Sequence, residues 1–390
     1  MMWYGRHHVD EDDIQAVLDQ LRHRSLTQGP AVGEFERAVA SYVGARYGVA
    51  VTSGTAALHL ACAAAGLGPG DTLVTSPTTF VASANCAAYV GATPEFADID
   101  PATLNLDPAE LERRCAGFQR VRAIVPVHFA GLPCAMPEIR AVANRLGAIV
   151  VEDASHGLGG RYQDGSRIGS CAHSEMTVFS FHPVKPITTA EGGMIMTNDE
   201  ALYRDLLRLR SHGINKMDDA LLDPEHAYTD GLVNPWYYEM QELGFNYRIT
   251  EIQAALGSSQ MRKLDRFLAR RRALAARYDE AFRGSDFIRP AQAGGRELSG
   301  HHLYTLRIPF GRGCVTRAAY MRRLFEAGIT AQVHYVPVPL HPYYRRRGHR
   351  AEDYPNSWQY YQEALSIPFF YDLTDGEQDG VVRTLFDKLH

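Results

Sequence analysis

Hydrophobic positions along the chain alternate between short apolar runs and helical spacings. Between residues 10 and 24, apolar side chains recur at helical spacing behind an acidic first turn, which predicts an amphipathic helix. These side chains are Ile14, Val17, Leu18 and Leu21. A second short helix, with Val32, Phe35 and Val39 on one face, leads to a predicted buried strand at 47–51.

A regular alternation of strands and helices follows. The predicted strands lie at 72–75, 94–97, 123–127, 148–152 and 176–181, and the predicted helices lie near 81–89, 108–115, 137–146 and 201–209. This alternation predicts an α/β fold in which a mostly parallel sheet carries helices on both faces. Because such sheets bind ligands at the carboxyl ends of their strands, the polar residues there are the first candidates for a site.

The last part of the chain predicts a smaller α/β domain. A helix from Ile249 is expected to continue through Arg262 to Phe282 and to cross into this domain. We therefore place a large domain with an N-terminal arm at 1–265 and a small C-terminal domain at 266–390. Strands at 304–308 and 330–333 and helices at 317–327 and 375–389 are expected in the small domain. The stretch 216–240 lacks periodicity and is expected to cover a cleft or to meet a partner subunit.

Composition and charge restrict the classes of function. The 390 residues are 45% hydrophobic and 22% charged, as in a soluble globular protein, and the net charge of -5 provides no basic field for nucleic acid. The N-terminus lacks the apolar core of a signal peptide, and the most apolar stretch, 56–68, is too short to span a bilayer. We therefore expect a cytoplasmic protein that binds neither nucleic acid nor membrane.

Cysteines and histidines show no pattern of a metal site. The six cysteines, at positions 62, 86, 115, 134, 171 and 314, include no CxxC pair, so reduced thiols are expected. Two histidine pairs, His7 with His8 and His301 with His302, could belong to a metal cluster, but the HExxH spacing is absent. We interpret both pairs as solvated polar surface and expect no metal.

Lys185 stands in the most unusual stretch of the chain. The predicted buried strand at 176–181 is followed by Pro183, Pro186 and two adjacent glycines, which force an irregular turn before extended structure resumes at 194–196. A lysine with apolar neighbours on both sides loses hydration, so its pKa falls and its neutral amine can attack a carbonyl carbon. The stretch therefore predicts Schiff-base chemistry, although a surface lysine in a connecting loop is the commoner explanation of a lone lysine.

Small polar residues between the strand at 47–51 and the following helix favour an anion site. Ser53, Gly54 and Thr55 leave the first backbone N–H groups of that helix free, and these groups with the hydroxyls suit a phosphate. Ordinary N-capping by Ser53 or Thr55 explains the same residues without a ligand.

Polar and aromatic side chains also follow other predicted strands. Phe80, His128 and the segment 152–156 each come after an apolar run. Because a buried acid is costly without a cation, Asp153 is expected to meet a positive partner, unless it only caps the following turn.

The combination of these segments resembles the DegT/StrS sugar aminotransferases, which are pyridoxal-phosphate enzymes of fold type I. The matching segments lie at 26–30, 53–58, 79–85, 91–94, 152–156, 179–193, 246–248 and 332–335, in the order of the family. Within the family, the segments 181–193 and 331–335 are similar to members of the pseudaminic acid pathway. The resemblance implies the type I fold, with a large domain built on a mostly parallel sheet and a smaller C-terminal α/β domain.

The resemblance also implies cofactor contacts. Lys185 would bind the aldehyde of pyridoxal 5'-phosphate (PLP), and Asp153 would pair with the ring nitrogen and keep the ring protonated. Phe80 would stack on the ring, and His156 would lie beside it. The remaining implied cofactor contacts are Gly54, Thr55 and Ser180 at the phosphate, with Asn246 reaching in from a second subunit, so that a homodimer shares its active sites.

Substrate contacts are implied in the N-terminal part, around the phosphate site and near the C-terminal domain. They are Tyr4, Arg24, Ser25, Leu26, Thr27, Ser53, Ser180, Asn246, Gln332, Val333, His334 and Tyr335.

The implied reaction is a two-step amino transfer. L-Glutamate gives its amino group to the cofactor and leaves as 2-oxoglutarate, and the nitrogen then passes to a UDP-linked 4-keto-6-deoxy sugar. A lysine at position 185 favours transamination over the dehydration performed by relatives with histidine there. Other UDP-, GDP- or dTDP-linked acceptors and a non-catalytic PLP-binding regulator are alternatives. A dinucleotide-binding oxidoreductase is disfavoured because no GxGxxG opens a helix after the first strand.

Overall fold

The computed structural model describes residues 1–216, 220–292, 294–311 and 315–389. The helices are α1 (Glu11–His23), α2 (Pro30–Val43), α3 (Gly54–Ala64), α4 (Ala82–Tyr89), α5 (Pro108–Cys115), α6 (Met136–Leu146), α7 (Glu200–Arg210), α8 (Pro224–Ala227), α9 (Glu251–Met261), α10 (Leu264–Ala281), α11 (Arg317–Glu326), α12 (Pro342–Arg345), α13 (Pro355–Glu363) and α14 (Asp375–Asp387). The strands are β1 (Tyr47–Val51), β2 (Thr72–Thr75), β3 (Thr93–Phe96), β4 (Val121–Val125), β5 (Ile149–Asp153), β6 (Met176–Ser180), β7 (Gly193–Thr197), β8 (Ile214–Asn215), β9 (Tyr228–Thr229), β10 (Leu232–Val233), β11 (Glu239–Met240), β12 (Arg289–Pro290), β13 (Tyr304–Arg307) and β14 (Ala364–Ile367). Cys314 and part of the 216–240 excursion lie outside the described ranges.

The central sheet of the described chain has seven strands in the order β1-β7-β6-β5-β4-β2-β3. The five strands from β6 to β3 are parallel, whereas β7 is antiparallel to both β6 and β1. The connection 181–192 contains no helix that would carry the chain back along the sheet, so β7 runs antiparallel beside β6. The predicted α/β fold is confirmed, and the connection that holds Lys185 is where the parallel order ends.

Hydrophobic layers cover both faces of this sheet. One layer packs α2, α6 and α9, with Phe35, Ile139 and Phe181 buried. The other packs α3, α4 and α7, where small side chains on α3 and α4 allow the two helices to approach the sheet closely. A third core packs α10, α11 and α14 against β13 and β14 in the C-terminal part. Every helix in the described ranges is too short or too polar to cross a bilayer.

The N-terminal arm contacts the C-terminal part of the chain. The N–H of Met2 donates to the carbonyl of Gly328 at 2.7 Å, and that of Thr330 donates to the carbonyl of Met2 at 2.8 Å. The N–H of Phe369 donates to the carbonyl of Tyr4 at 2.9 Å. These bonds bring Tyr4 beside the loop after α11.

The domain boundary near residue 265 stays a prediction.

Two expectations about elements are wrong in detail. The segment 330–333 forms no strand, because the chain makes one isolated bridge, from Gln332 to Ser366 at the edge of β14, and then leaves the sheet. The long helix expected from Ile249 is divided into α9 and α10, because the chain turns at Lys263 and directs this ammonium to the carboxylates of Asp10 and Asp13.

The helix α1 forms as predicted but buries an unexpected face. Asp13 and Gln20 are buried, and the amide of Gln260 on α9 donates to Asp13 Oδ2 at 2.6 Å. The apolar residues Ile14 and Leu21 remain 45% and 49% exposed. The predicted apolar face of α1 is therefore only partly covered by this chain, with Val17 and Leu18 half-buried.

Candidate active site

A cavity of about 650 Å³ opens at the carboxyl ends of β5 and β6. Its wall is formed by these strand ends, the first turn of α3, the connection between β6 and β7, and the loop after α11. The predicted residues that line it are Tyr4, Ser53, Gly54, Thr55, Phe80, Asp153, His156, Ser180, Lys185, Gln332, Val333, His334 and Tyr335. The fold thus brings most of the residues singled out in the sequence to one place.

Lys185 lies in the irregular turn that follows β6. Its backbone N–H donates to the carbonyl of His182 at 2.9 Å, which closes the turn and directs the side chain into the cavity wall. Burial lowers the pKa of the amine to about 8, although the nearby carboxylate of Asp153 acts in the opposite direction. Because part of the amine is neutral near neutral pH, Lys185 can act as a nucleophile or as a base.

Asp153 is the last residue of β5 and is only 5% exposed. The hydroxyl of Ser83 donates to Oδ2 at 2.6 Å, and the N–H of Ser155 donates to Oδ1 at 3.1 Å. A carboxylate has about four lone-pair sites, so these two bonds orient the group and leave acceptor capacity for a ligand. The carboxylate of Asp153 acts on Lys185 across the cavity, where it raises the pKa of the amine against the effect of burial.

His156 presents a neutral imidazole to the cavity. The N–H of Ala130 donates to Nδ1 at 3.3 Å, so Nδ1 is an acceptor and the ring proton lies on Nε2. Nε2 lies 3.3 Å from the hydroxyl of Tyr335, whose ring is nearly parallel to the imidazole, at 17°. Burial, followed by the positive charge of Lys185, lowers the pKa of His156 well below its ordinary value.

The first turn of α3 and the end of β6 form a narrow cradle. Ser53 caps α3 by accepting a hydrogen bond from the N–H of Ala56 at 3.1 Å, so the capping expected as an alternative is present. A Cβ on Gly54 would lie 3.0 Å from Ser180 Cβ, and a Cβ on Gly193 would lie 2.4 Å from the carbonyl oxygen of Ser53. Only glycines allow this approach, and the first turn of α3 lines the cavity there together with Thr55 and Ser180. Such a cradle suits a phosphate.

Five predicted site residues lie outside the cavity lining of this chain. Asn246 is exposed and forms an isolated backbone bridge with Ser211. The other four follow α1 and are also exposed, namely Arg24, Ser25, Leu26 and Thr27.

The sequence analysis did not single out every residue of the cavity region as a site residue, and those it left out include Thr79, Ser83 and His302. Thr79 and Ser83 are joined by a 2.7 Å hydrogen bond between their hydroxyls, and Ser83 continues to Asp153. The signal for Ser83 was its place one helical turn after Phe80. His302 and His301 are only 3% and 6% exposed, so the interpretation of this pair as solvated surface is wrong. Their loop is packed between the turn at Ala130 and α10.

His128, which also follows a predicted strand, belongs to a structural network on the other side of β5. Its Nε2 lies 2.8 Å from Glu152, and both side chains are fully buried. The other donors to Glu152 are Tyr162, Ser174 and Thr177, at 2.5, 2.5 and 3.1 Å. Burial raises the pKa of Glu152, but the hydrogen bonds and the charge interaction outweigh it and lower the pKa. The network therefore anchors β5 at Glu152, the residue directly before Asp153.

Comparisons with known proteins agree with this geometry. The model of the DegT/DnrJ/EryC1/StrS aminotransferase family matches residues 7–386, and the chain belongs to this family. It is 40% identical over 383 residues to the spore coat polysaccharide biosynthesis protein SpsC of Bacillus subtilis, covering 97% of this chain and 95% of that protein. It is 34% identical over 390 residues to the UDP-4-amino-4,6-dideoxy-N-acetyl-beta-L-altrosamine transaminase of Campylobacter jejuni, covering 100% and 98%. The solved structure of Helicobacter pylori PseC, an aminotransferase involved in the biosynthesis of pseudoaminic acid, matches with a TM-score of 0.87 and 28% identity, covering 100% of this chain and 99% of that one.

These matches define the class of the protein. It is a PLP-dependent sugar aminotransferase with the type I fold, and PLP is its cofactor. The residues on the cavity wall fit this cofactor. A buried carboxylate has spare acceptor capacity, a lysine amine has a lowered pKa, and two glycines keep a cradle open at a helix N-terminus.

Proposed function

We propose that the enzyme transfers the amino group of L-glutamate to the 4-keto carbon of a UDP-linked 6-deoxy sugar, as a UDP-4-amino-4,6-dideoxy-N-acetyl-β-L-altrosamine transaminase of the pseudaminic acid pathway. The observation that carries the proposal is the convergence of Lys185 and Asp153 on one cavity. Full-length similarity to a transaminase of that name supports the choice of acceptor.

Each cavity residue then has a role toward the cofactor. Lys185 Nζ would bind its aldehyde carbon, and the carboxylate of Asp153 would accept a hydrogen bond from the protonated ring nitrogen. Phe80 and His156 would lie against the ring, while Gly54, Thr55 and Ser180 would hold the phosphate. Bound there, PLP supplies an electron-withdrawing ring that stabilises negative charge on the carbon carrying the amino group.

Lys185 would also move the protons of the reaction. The neutral amine would take the proton from the α-carbon of glutamate and pass it to the cofactor, and in the second half-reaction it would carry a proton from the cofactor to C4 of the sugar. A pKa of about 8 populates both forms of the amine near neutral pH, which suits a group that must accept and donate. The negative charge of Asp153 would stabilise the protonated ring nitrogen of the cofactor during both half-reactions.

The sugar would be bound on the side of the cavity formed by Tyr4 and residues 332–335. His334 donates to or accepts from Ser366 at 2.7 Å, and burial together with the charge of Lys185 lowers its pKa to about 3. Tyr4 packs edge-on against His334, with ring centroids 5.1 Å apart. This wall is neutral and polar, as the hydroxyl groups of a sugar require.

A homodimer completes the proposed site. Large apolar side chains are exposed on α1 and on the excursion after α7, and Leu222, Leu232, Trp236 and Leu243 are each at least 73% exposed. Apolar surface of this density is typical of a protein interface. We infer that a second copy of the chain covers it and supplies Asn246 and the segment 24–27 to the neighbouring cavity.

An acceptor with another nucleotide is the principal alternative. The similarity to a protein of spore coat polysaccharide biosynthesis favours testing several activated sugars. The alternative of a PLP-binding regulator that catalyses no reaction is disfavoured, because Lys185, Asp153 and Ser180 all lie on the cavity wall.

One assay tests the proposal. The purified holoenzyme is incubated with L-glutamate and, in turn, with UDP-, dTDP- and GDP-linked 4-keto-6-deoxy sugars, and the release of 2-oxoglutarate is measured. We expect multiple turnovers with the UDP-linked sugar and none with the K185A variant. Turnover of only dTDP- or GDP-linked sugars would make the UDP assignment wrong, and release limited to one equivalent with every sugar would rule out all three acceptors.

A further inference from the structure

His302 is a buried imidazole on the cavity wall with no hydrogen-bond partner. Its side chain lines the cavity and is 3% exposed. Nδ1 is enclosed by protein atoms and unpaired, and neither ring nitrogen has a hydrogen-bond partner in the described part of the chain. Its ring packs against that of His156, with centroids 4.4 Å apart. Because unpaired buried polar groups are rare in native proteins, this ring is available to a ligand.

The backbone holds this ring in a fixed position. The N–H of His302 donates to the carbonyl of Ala130 at 3.0 Å. Arg271, which is 2% exposed, donates to the carbonyls of His301 and His302 at 3.3 and 3.2 Å. A buried guanidinium bound to backbone carbonyls keeps the loop from moving, so the open hydrogen-bonding capacity of His302 is built into the fold.

The protonation state of His302 follows from its surroundings. Burial, followed by the positive charge of Lys185, lowers the pKa of the ring well below its ordinary value. The ring is therefore neutral at physiological pH and carries one proton. With Nδ1 enclosed, that proton belongs on Nε2, the nitrogen left to meet a ligand.

The donor substrate brings the group that such a ring would bind. An amino acid carries a carboxylate next to the reacting carbon, and L-glutamate carries a second one. Lys185 is the only lysine or arginine among the described residues of the cavity lining, and its proposed role is to bind the cofactor and to transfer protons. The carboxylates must therefore be met by neutral donors or by residues of a second subunit.

We propose that His302 is a substrate-binding residue that donates its ring N–H to a carboxylate of the amino donor. This inference rests on the proposed function, because it concerns the half-reaction with L-glutamate. His302 thus belongs to the donor site, whereas the residues 332–335 face the sugar. Its contact with His156 would also align the neighbouring ring beside the cofactor.

The donor half-reaction can be measured without any sugar. Holoenzyme is mixed with L-glutamate alone, and the absorbance change of the cofactor gives an apparent Kd and a limiting rate. The variants are H302F, which keeps a flat ring without a donor, and H302Q, which restores an N–H donor. H301N is the matched control, because His301 is equally buried but lies outside the cavity lining and has a positive φ that asparagine tolerates.

We expect H302F to raise the apparent Kd for L-glutamate at least tenfold with little change in the cofactor spectrum, H302Q to recover most of the affinity, and H301N to match the wild type. If wild-type holoenzyme shows no absorbance change with L-glutamate, the proposed donor is wrong. If wild type reacts and H302F binds L-glutamate equally well, or loses only the reaction with the sugar, the role of His302 is wrong.

A second measurement covers the case in which H302F fails to fold. Wild-type holoenzyme with ¹⁵N-labelled histidine is titrated with 2-oxoglutarate, and H302Q identifies the ring signals of His302. A shift of these signals that saturates with 2-oxoglutarate is the expected result. Signals that do not move at saturation would overturn the proposal.

Discussion

The hydroxyl of Ser83 on α4 donates a 2.6 Å hydrogen bond to Oδ2 of Asp153 at the end of β5. Thr79 continues this chain, since its hydroxyl lies 2.7 Å from that of Ser83. The bond joins a helix to the sheet and orients the carboxylate that we propose as the partner of the cofactor ring nitrogen. Ser83 is therefore a positioning residue rather than a binding residue.

Replacing Ser83 by alanine should weaken catalysis more than folding. Loss of a hydrogen bond to a charged group costs about 1.5 to 3 kcal/mol, so we expect kcat/KM of S83A to fall roughly tenfold or more. The measurement is the rate of 2-oxoglutarate release with the preferred sugar.

The matched control for S83A is T75V. Thr75 is fully buried, and its hydroxyl donates to the carbonyl of Val125 at 2.7 Å, away from the cavity lining. T75V should lower the melting temperature while leaving kcat/KM unchanged. An S83A variant as active as T75V would show that Ser83 does not position Asp153.

The capture of PLP by the apoenzyme should depend on pH through the amine of Lys185. Only the neutral amine attacks an aldehyde, and its fraction rises with pH until the pKa is passed. With the pKa lowered to about 8, we expect the rate of PLP uptake to rise up to about that pH and then to level off. Stopped-flow absorbance measures the rate.

The variant D153N provides the check on the sign of this effect. Because the carboxylate of Asp153 raises the pKa of Lys185, its removal should move the inflection to lower pH. A rate that still rises tenfold per unit above pH 9 would contradict the lowered pKa.

The network around Glu152 should appear in the acid stability. The pKa of Glu152 is lower in the folded protein than its ordinary value of 4.5, so this group stabilises the fold above about pH 4.5 and the contribution is lost as pH falls through the lower folded value. The free energy of unfolding of wild type should therefore fall on the acid side more steeply than that of E152Q. Urea unfolding between pH 6 and pH 3 measures both slopes, and equal slopes would contradict the lowered pKa.

The shared active site can be tested by mixing two inactive variants. K185A and N246A should each have little activity, but a hybrid dimer contains one site with a native Lys185 and a native Asn246. After subunit exchange, we expect about a quarter of the wild-type number of intact sites. Activity that does not exceed the sum of the separate variants would place Asn246 outside the partner's site.

The sequence predicted most of the sheet because its apolar runs are short and bounded by polar turns. It also predicted cavity residues that follow those runs, such as Phe80 and Asp153, whereas Ser180 came only from the family resemblance. It could not predict which face of α1 is buried, because the apolar residues Ile14 and Leu21 are not covered by this chain.

The roles of His128 and His302 depend on contacts between distant segments. His128 follows a strand, as Asp153 does, but it faces the network around Glu152 on the other side of β5. From the sequence, His302 resembled a surface histidine. In the structure, the turn at Ala130 and the guanidinium of Arg271 enclose its loop. No local pattern predicts such contacts, so the sequence alone gave His128 no role and placed His302 incorrectly on the surface.

The most direct test of the account is the position of the bond between protein and cofactor. Holoenzyme is reduced with sodium borohydride, digested and analysed by mass spectrometry, with K185A treated in parallel. We expect the mass of a reduced cofactor on the peptide that contains Lys185 and no cofactor on any peptide of K185A. A cofactor attached to another lysine, or a protein that remains colourless when PLP is supplied, would contradict the central role of Lys185.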